Sequence, residues 1–599
     1  MASHNYANDQ DILDHKSPVD TPTSLHRPSY EQARWSHSPA GVLAEADVDG
    51  LSLYDKKCVL VNREIDAMGM GKYQWYIWCL CGFGYLLDLL WAQAFGLALS
   101  PLQQELGFGN DVSGNISTSF SAGLTAGAFF WGVMSDMIGR RWAFNLTCLF
   151  SSIFGLCLGA SNTYTTFLVL TAFVGFGVGG NIPIDTTITL EFLPQNRRFL
   201  LAVLSVFQPI GVVLCSAIAF GFIPTMSCSP NFSEANPLPS CNTAGLAPGT
   251  DCCGRSNNMG WRYLLFTLGG ITLAVFCVRF FVFKFRESPK FLIYKGQDEK
   301  AIGVIQHIAK VNGRQCGLTM ADFEALSSES DSAAIDTAPT TTGGSSRGGR
   351  PTRTVFKRSV SGSLLSNGAN TFKRMKPKLS KQKLHKESER YMMLFSSFTM
   401  ARLTILVWLT YIMDFWGFTV AGFYLPRILA LKNGSASQSL SFTYASYIYT
   451  YAPGILGVLL GATMYHIPSL GRKWTMTLSA ALMGISIILF ATVDTVAKNL
   501  GLFTLEYFFQ SMFNAVLYGW TPEAFPAPVR GTACGVASFW GRLFGIVSPL
   551  IAQRLYGESV GGEGNVNAVL YLAGGVTLGC VITTALLPTK HLEAEDGKS

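Results

Sequence analysis

Stretches of about twenty apolar residues recur twelve times in this chain, each long enough as a helix to cross the ~30 Å hydrocarbon core of a bilayer. They lie near 73–98, 113–134, 142–160, 164–187, 199–222, 262–284, 400–424, 442–464, 474–493, 499–521, 533–553 and 567–587. Six precede and six follow a long polar insert. Only 14% of the 599 residues are charged while 49% are hydrophobic, too few charges to cover a water-facing surface. The net charge of +7 gathers in loops rather than along a face, and no zinc-finger or RNA-binding signature accompanies it, which excludes nucleic acid as a partner. The bilayer is the expected solvent.

Basic residues of short loops stay on the cytosolic side. Arg140 and Arg141, Arg197 and Arg198, Arg472 and Lys473, and Arg530 all follow even-numbered spans, which puts both termini in the cytosol. The opposite loops carry the glycosylation sequons at Asn231 and Asn433. Of 14 cysteines, Cys228, Cys241, Cys252 and Cys253 crowd into the outer loop between spans five and six. No His accompanies them, so two disulfides are expected there rather than a zinc site. Three pairings are open.

The expected organisation is a disordered cytosolic tail over 1–70, a first bundle over 71–285, a cytosolic loop over 286–398, a second bundle over 399–588 and a short cytosolic tail over 589–599. The loop starts amphipathic (Phe291-Leu-Ile, Ala301-Ile, Val304-Ile305), which predicts short interfacial helices, and ends as a basic, disordered segment. Ser359 and Ser361 stand beside Lys357 and Arg358, where a kinase would invert the local charge.

An internal repeat fixes the architecture. Gly132-Val-Met-Ser-Asp136-Met-Ile-Gly139-Arg140-Arg141 follows span two, and Gly461-Ala-Thr-Met-Tyr-His466-Ile-Pro-Ser-Leu-Gly471-Arg472-Lys473 follows span eight. Glu-x-x-Pro-x-x-x-Arg follows span four (Glu191, Pro194, Arg198) and again span ten (Glu523, Pro526, Arg530). Gly139 precedes Glu191 by 52 residues, and Gly471 precedes Glu523 by the same 52. The predicted fold class is therefore an all-α membrane protein with twelve transmembrane helices in two pseudo-symmetric six-helix bundles.

These loops, together with Arg286-Glu-Ser-Pro289-Lys-Phe-Leu after span six, resemble the signatures of the major facilitator superfamily and of its sugar-porter-like branch. The run Gly175-Phe-Gly-Val-Gly-Gly180-Asn-Ile-Pro183-Ile-Asp185 looks like the synaptic-vesicle-protein-related members, fungal ones included. The resemblance implies alternating access and a cytosolic latch that stabilises the outward-open state. Two residues depart from the branch pattern: no Arg precedes the Gly-rich run of span four, and His466 stands where an acid is usual.

The latch is expected from Gly132, Asp136, Gly139, Arg140, Arg141, Glu191 and Arg198 in the first half and Gly471, Arg472, Glu523 and Arg530 in the second. Asp136 is four residues from Arg140, the spacing of a local ion pair, and an anion there suits the helix start at Gly531-Thr532. The pairs Gly175/Gly179, Gly457/Gly461 and Gly541/Gly545 read as packing ridges. Pro209 and Pro453 are candidate kinks.

Charges inside hydrocarbon are costly unless they face a cavity or a partner. Asp88 in span one, Asp414 in span seven and Arg542 in span eleven are deep in their spans; Asp185 and Glu506 are shallower. A proton-coupled substrate cavity is expected from Asp88, Asp414, Arg542, Gln93, Gln208 and Asp185, with Trp91, Trp416, Tyr424 and Trp540 as aromatic lining. The function that follows is a secondary active transporter of a small organic solute, a sugar, organic acid or related metabolite, coupled to protons. No ATP-binding Gly-x-x-x-x-Gly-Lys-Ser/Thr loop, nucleophile set or metal-ligand spacing is present. No cofactor is expected and no enzyme activity. The plasma membrane, or a vacuolar or other internal membrane, is its expected place. The alternatives are a transporter-fold nutrient sensor and a proton-driven exporter of a specialised metabolite.

Overall fold

The computed structural model describes residues 53–588 apart from 198, 235, 244–248, 284, 328–391, 393, 436–437, 466, 468–470, 494, 526–529 and 558–565. Its regular structure is helical. A short helix α1 (Leu53–Met68) leads into six spans: α2 (Lys72–Leu106), α3 (Asn115–Ile138), α4 (Arg140–Leu158), the broken span α5 (Tyr164–Val178) plus α6 (Asn181–Phe192), α7 (Leu200–Leu204) plus α8 (Phe207–Phe222), and α9 (Gly260–Cys277). Two short helices follow, α10 (Pro289–Tyr294) and α11 (Asp298–Val311). The second six spans are α12 (Phe398–Ser435), α13 (Leu440–Tyr451) plus α14 (Pro453–Met464), α15 (Gly471–Thr492), α16 (Val496–Ala524), α17 (Arg530–Gly557) and α18 (Val566–Ala585). Ten of these spans are long and apolar enough to cross a membrane by composition. The other two, α3 and α16, have 24 and 29 residues, ample for a crossing.

Local chemistry sets the ends. Thr163 and Ser439 accept the backbone N–H three residues on and start α5 and α13. Gly107, at φ 71°, closes α2. Pro453 has no N–H to continue a helix, and the span breaks into α13 and α14 there. Within the first half α2 packs on α8, α3 on α5 and α4 on α9; within the second α14 packs on α16, and α15 and α12 on α18. Two of the three Gly ridges, one in each half, behave alike, while Gly541 and Gly545 face the Phe415 and Thr419 side chains. A Cβ at Gly175 or Gly179 would strike the backbone oxygens of Phe120 and Leu124, and one at Gly457 that of Phe508. The halves meet along α3 with α17, α8 with α13, and α2 with α12.

Three expectations need correction. Residues 53–68 are helical rather than part of a disordered tail, because Leu60, Val61, Ile65 and Met68 form a buried stripe. That stripe covers α10 and α11, so the apolar face of α11 (Ile302, Ile305, Ile308) packs on protein instead of lying in the lipid interface. Lys57 ion-pairs with Asp298 at 2.5 Å across this contact. Finally, the sequon at Asn433 sits inside α12 with no exposure, its amide donating to Thr443 Oγ1 at 3.2 Å; a buried helical amide is closed to glycosylation. Asn231 lies in an irregular loop, bonded to Ser233 and Glu234. The four loop cysteines pair as Cys228–Cys253 and Cys241–Cys252. Ser359 and Ser361 lie outside the described residues.

Candidate functional site

Two adjoining cavities lie between the halves. The larger, about 850 Å³, is lined from α2, α3, α12, α13, α16 and α17 and includes Gln93, Tyr451, Glu506, Gln510 and Arg542. The smaller, about 490 Å³, holds Asp88, Gln208, Asp414, Asn514, Tyr518 and Arg542. Both share Leu89, Ala92, Phe120, Leu124, Phe415, Phe418 and Arg542, so Arg542 stands at their junction. Five of the six residues expected at a central cavity are therefore brought to it.

The ionisable groups there are nearly closed to solvent: Asp88 is 8% exposed, Asp414 2%, Glu506 3% and Arg542 4%. Arg542 donates through Nη1 to the Leu124 carbonyl and through Nε to Ser538 Oγ, both at 3.3 Å, and its charge acts on Asp88. Asp414 is met by an amide rather than a cation: in the orientation its two oxygens require, Asn514 Nδ2 donates to them at 3.1 and 3.2 Å. Among the described residues Glu506 has no hydrogen bond or ion pair. Gln93 Nε2 donates to the Tyr451 hydroxyl at 2.9 Å and ties α2 to α13 across the larger cavity.

Asp185 is elsewhere. It is buried inside the first half, ion-paired to Arg279 at 3.3 Å, and Arg279 also donates to the Leu80 carbonyl and lies 3.9 Å from the Phe144 ring centre. Gly84 makes room for this pair, since a Cβ there would overlap the Asp185 carboxylate. The same correction applies to Trp91, whose indole donates to Thr272 Oγ1 within the first half. The cavity aromatics instead include Phe120, Phe415, Phe418, Tyr451, Phe503 and Tyr507.

A polar ladder on α16 adds residues to the site beyond those expected from the sequence. Glu506, Gln510, Asn514 and Tyr518 are spaced four apart and all line the cavities. At 3.6 residues per turn a four-residue spacing keeps one face, so the ladder climbs from the larger cavity to the smaller. A polar residue every fourth position in an otherwise apolar span was the readable signal.

The loop network is built around a residue outside the expected latch. Glu287, from the Arg286-Glu-Ser-Pro289 run, accepts the backbone N–H of Arg140 at 2.8 Å and of Arg141 at 3.2 Å, at the start of α4 where the helix dipole favours an anion. Gly139, at φ 101°, lets the carboxylate in, because a Cβ would meet it. Arg140 Nε lies 3.6 Å from Glu191 Oε1. In the second half Arg472 reaches Glu523 at 3.5 Å, and the Tyr465 hydroxyl bonds the same carboxylate. Gly471 packs under the Met464 carbonyl, while Gly132 faces open space. The Asp136 and Arg530 side chains, Arg198 and His466 lie outside the described residues, and with them the expected contact of Asp136 with Gly531-Thr532.

Known proteins share this plan. The family model "Sugar (and other) transporter" matches residues 98–319 and the "Major Facilitator Superfamily" model residues 407–598. The "MFS siderochrome iron transporter 1" of Ceriporiopsis subvermispora is 34% identical over 544 residues, 90% of this chain and 91% of that protein. The "Synaptic vesicle 2-related protein" of Bos taurus is 24% identical, over 88% of this chain and 79% of that one. The partially occluded inward-open xylose transporter XylE of E. coli matches 86% of this chain and 98% of its own with a TM-score of 0.57 at 14% identity, a likeness of fold. Two of these three are named as transporters, and both family models describe transporters rather than enzymes. The chain is a multi-pass membrane protein of the major facilitator superfamily.

Proposed function

We propose that the protein moves a small organic solute by alternating access, coupled to protons, with Asp88 and Asp414 as the proton-carrying groups. The observation that carries this reading is the smaller cavity between the halves, where both carboxylates face one space without a direct ion pair. A carboxylate in so dry a place takes and gives up a proton as its surroundings change. Such a carrier must be free of a permanent cation, and Arg542 is near Asp88 without bonding it.

Hydrogen bonds between the halves support two-state rocking. Arg427 donates to Asn110 Oδ1 at 2.7 Å, Tyr444 to the Leu97 carbonyl at 2.9 Å and Gln553 to Asn115 Oδ1 at 3.4 Å, all at the end of the bundle that carries the disulfide loop. These must part for the cavity to open there. By the distribution of basic loops that end faces away from the cytosol and the Arg140 loop is cytosolic.

The test is proton flux into proteoliposomes holding the purified protein, driven by sugars, carboxylates and amines in turn, for the wild type, Asp88→Asn and Asp414→Asn. Solute-driven proton flux that either variant loses while still folding is the expected result. Solute movement without protons in the wild type overturns the coupling.

A further inference from the structure

Resting on the transporter reading, we infer that the larger cavity is a subsite for an organic cation with an apolar body, whose positive centre sits against the Glu506 carboxylate inside an aromatic cage.

Glu506 is the buried acid that the coupling scheme leaves unused. It is 3% exposed, lines the cavity wall, and has no hydrogen bond or ion pair among the described residues. A carboxylate so placed carries a desolvation cost, which a solute cation would remove. Three rings line the same cavity wall. Phe503 and Tyr507 flank Glu506 on α16, and Tyr451 faces them from α13 with ring centres 5.3 Å and 4.7 Å away. Aromatic faces are negative, so rings beside a carboxylate suit a cation and repel an anion.

The other charged groups facing the two compartments are Asp88, Asp414 and Arg542. Three acids face one guanidinium, and that guanidinium already donates to Leu124 and Ser538. Whenever two of these acids are ionised, a solute carboxylate meets more negative than positive charge. A sugar would need a ring of hydrogen-bonding groups, yet around Glu506 the wall is aromatic, and Gln93 is tied to Tyr451. The amide of Gln510, one turn from Glu506, supplies the polar contact within reach on the same helix.

Three probes of one shape separate the readings: 2-phenylethylammonium, 2-phenylethanol and phenylacetate. Equilibrium binding to the full-length protein in lipid nanodiscs, by calorimetry, needs no gradient and no transport. The ammonium is expected to bind about tenfold more tightly than either other probe, and E506Q to abolish that preference while leaving 2-phenylethanol unchanged. E506D keeps the charge and should retain a reduced preference, which decides the matter if E506Q does not fold. Tighter binding of phenylacetate, a preference untouched in both variants, or no ammonium binding up to about 10 mM overturns the inference. Amine binding without proton-coupled flux would instead sink the transport scheme and leave this subsite standing.

Discussion

The two halves bury acids in opposite ways. In the first half Asp185 pairs with Arg279, and Glu105 pairs with Arg262 at 2.6 Å while also accepting from the Trp261 indole at 2.8 Å. In the second half Asp414 has an amide for company, and Glu506 has no hydrogen bond or ion pair among the described residues. Asp88 is the first-half acid that behaves like the second half, and it alone of these three first-half acids reaches the cavity. A carboxylate locked to an arginine fixes helices; one left without a cation stays available for a proton or a solute. The contrast separates scaffold from machinery.

The hardest test of this contrast is Arg279→Ala against Asp414→Asn. Removing Arg279 leaves Asp185 charged and buried, at a cost of about 3–5 kcal/mol, and should abolish recovery of folded protein by fluorescence-detected size exclusion. Asp414→Asn should elute and melt like the wild type. Equal loss in both would show that the second-half acids are structural too.

A smaller effect distinguishes the two loop networks. Arg140 and Glu191 are more enclosed than Arg472 and Glu523, whose side chains keep about a third of their exposure. Arg140→Ala should lower stability by about 1–2 kcal/mol and Arg472→Ala by less than about 1 kcal/mol, measured by thermal melting. The reverse order would break the assignment of the first half as the more tightly fastened one.

The smallest effect lies at the contact between α1 and the loop after α11. Glu64 accepts the Gly317 N–H at 2.9 Å, and burial, with the Glu64 carboxylate beside it, pushes the Cys316 thiol up to about 11. Only the thiolate alkylates. Peptide-resolved labelling of Cys316 should be slow at neutral pH and keep rising toward pH 11, rather than level near the ordinary 9.0. Levelling at the ordinary value would mean that α1 does not cover this site.

Much of the site was readable because charge in hydrocarbon is rare and costly. Asp88, Asp414 and Arg542 stood out in the sequence for that reason, and Gln93 and Gln208 as polar neighbours in apolar spans. Asp185 stood out equally and is structural, since its partner Arg279 is 94 residues away and nothing local announces the pairing. Glu287 was visible as part of a signature, but its work as a cap depends on the fold bringing it 147 residues back to Arg140. The burial of Asn433 was hidden likewise: a sequon is a three-residue pattern, and α12 runs about three turns beyond the apolar stretch that marks its span.

The sequence by itself determined the number of crossings, their two-fold repeat and the disulfide loop, because hydropathy, loop charge and a 52-residue spacing are properties of neighbours along the chain. Which acid is paired and which is left facing a cavity was decided by tertiary structure alone. Pairing needs two side chains from distant helices within a few ångströms, and helix rotation, set by glycine ridges and side-chain volume across the whole bundle, chooses between them.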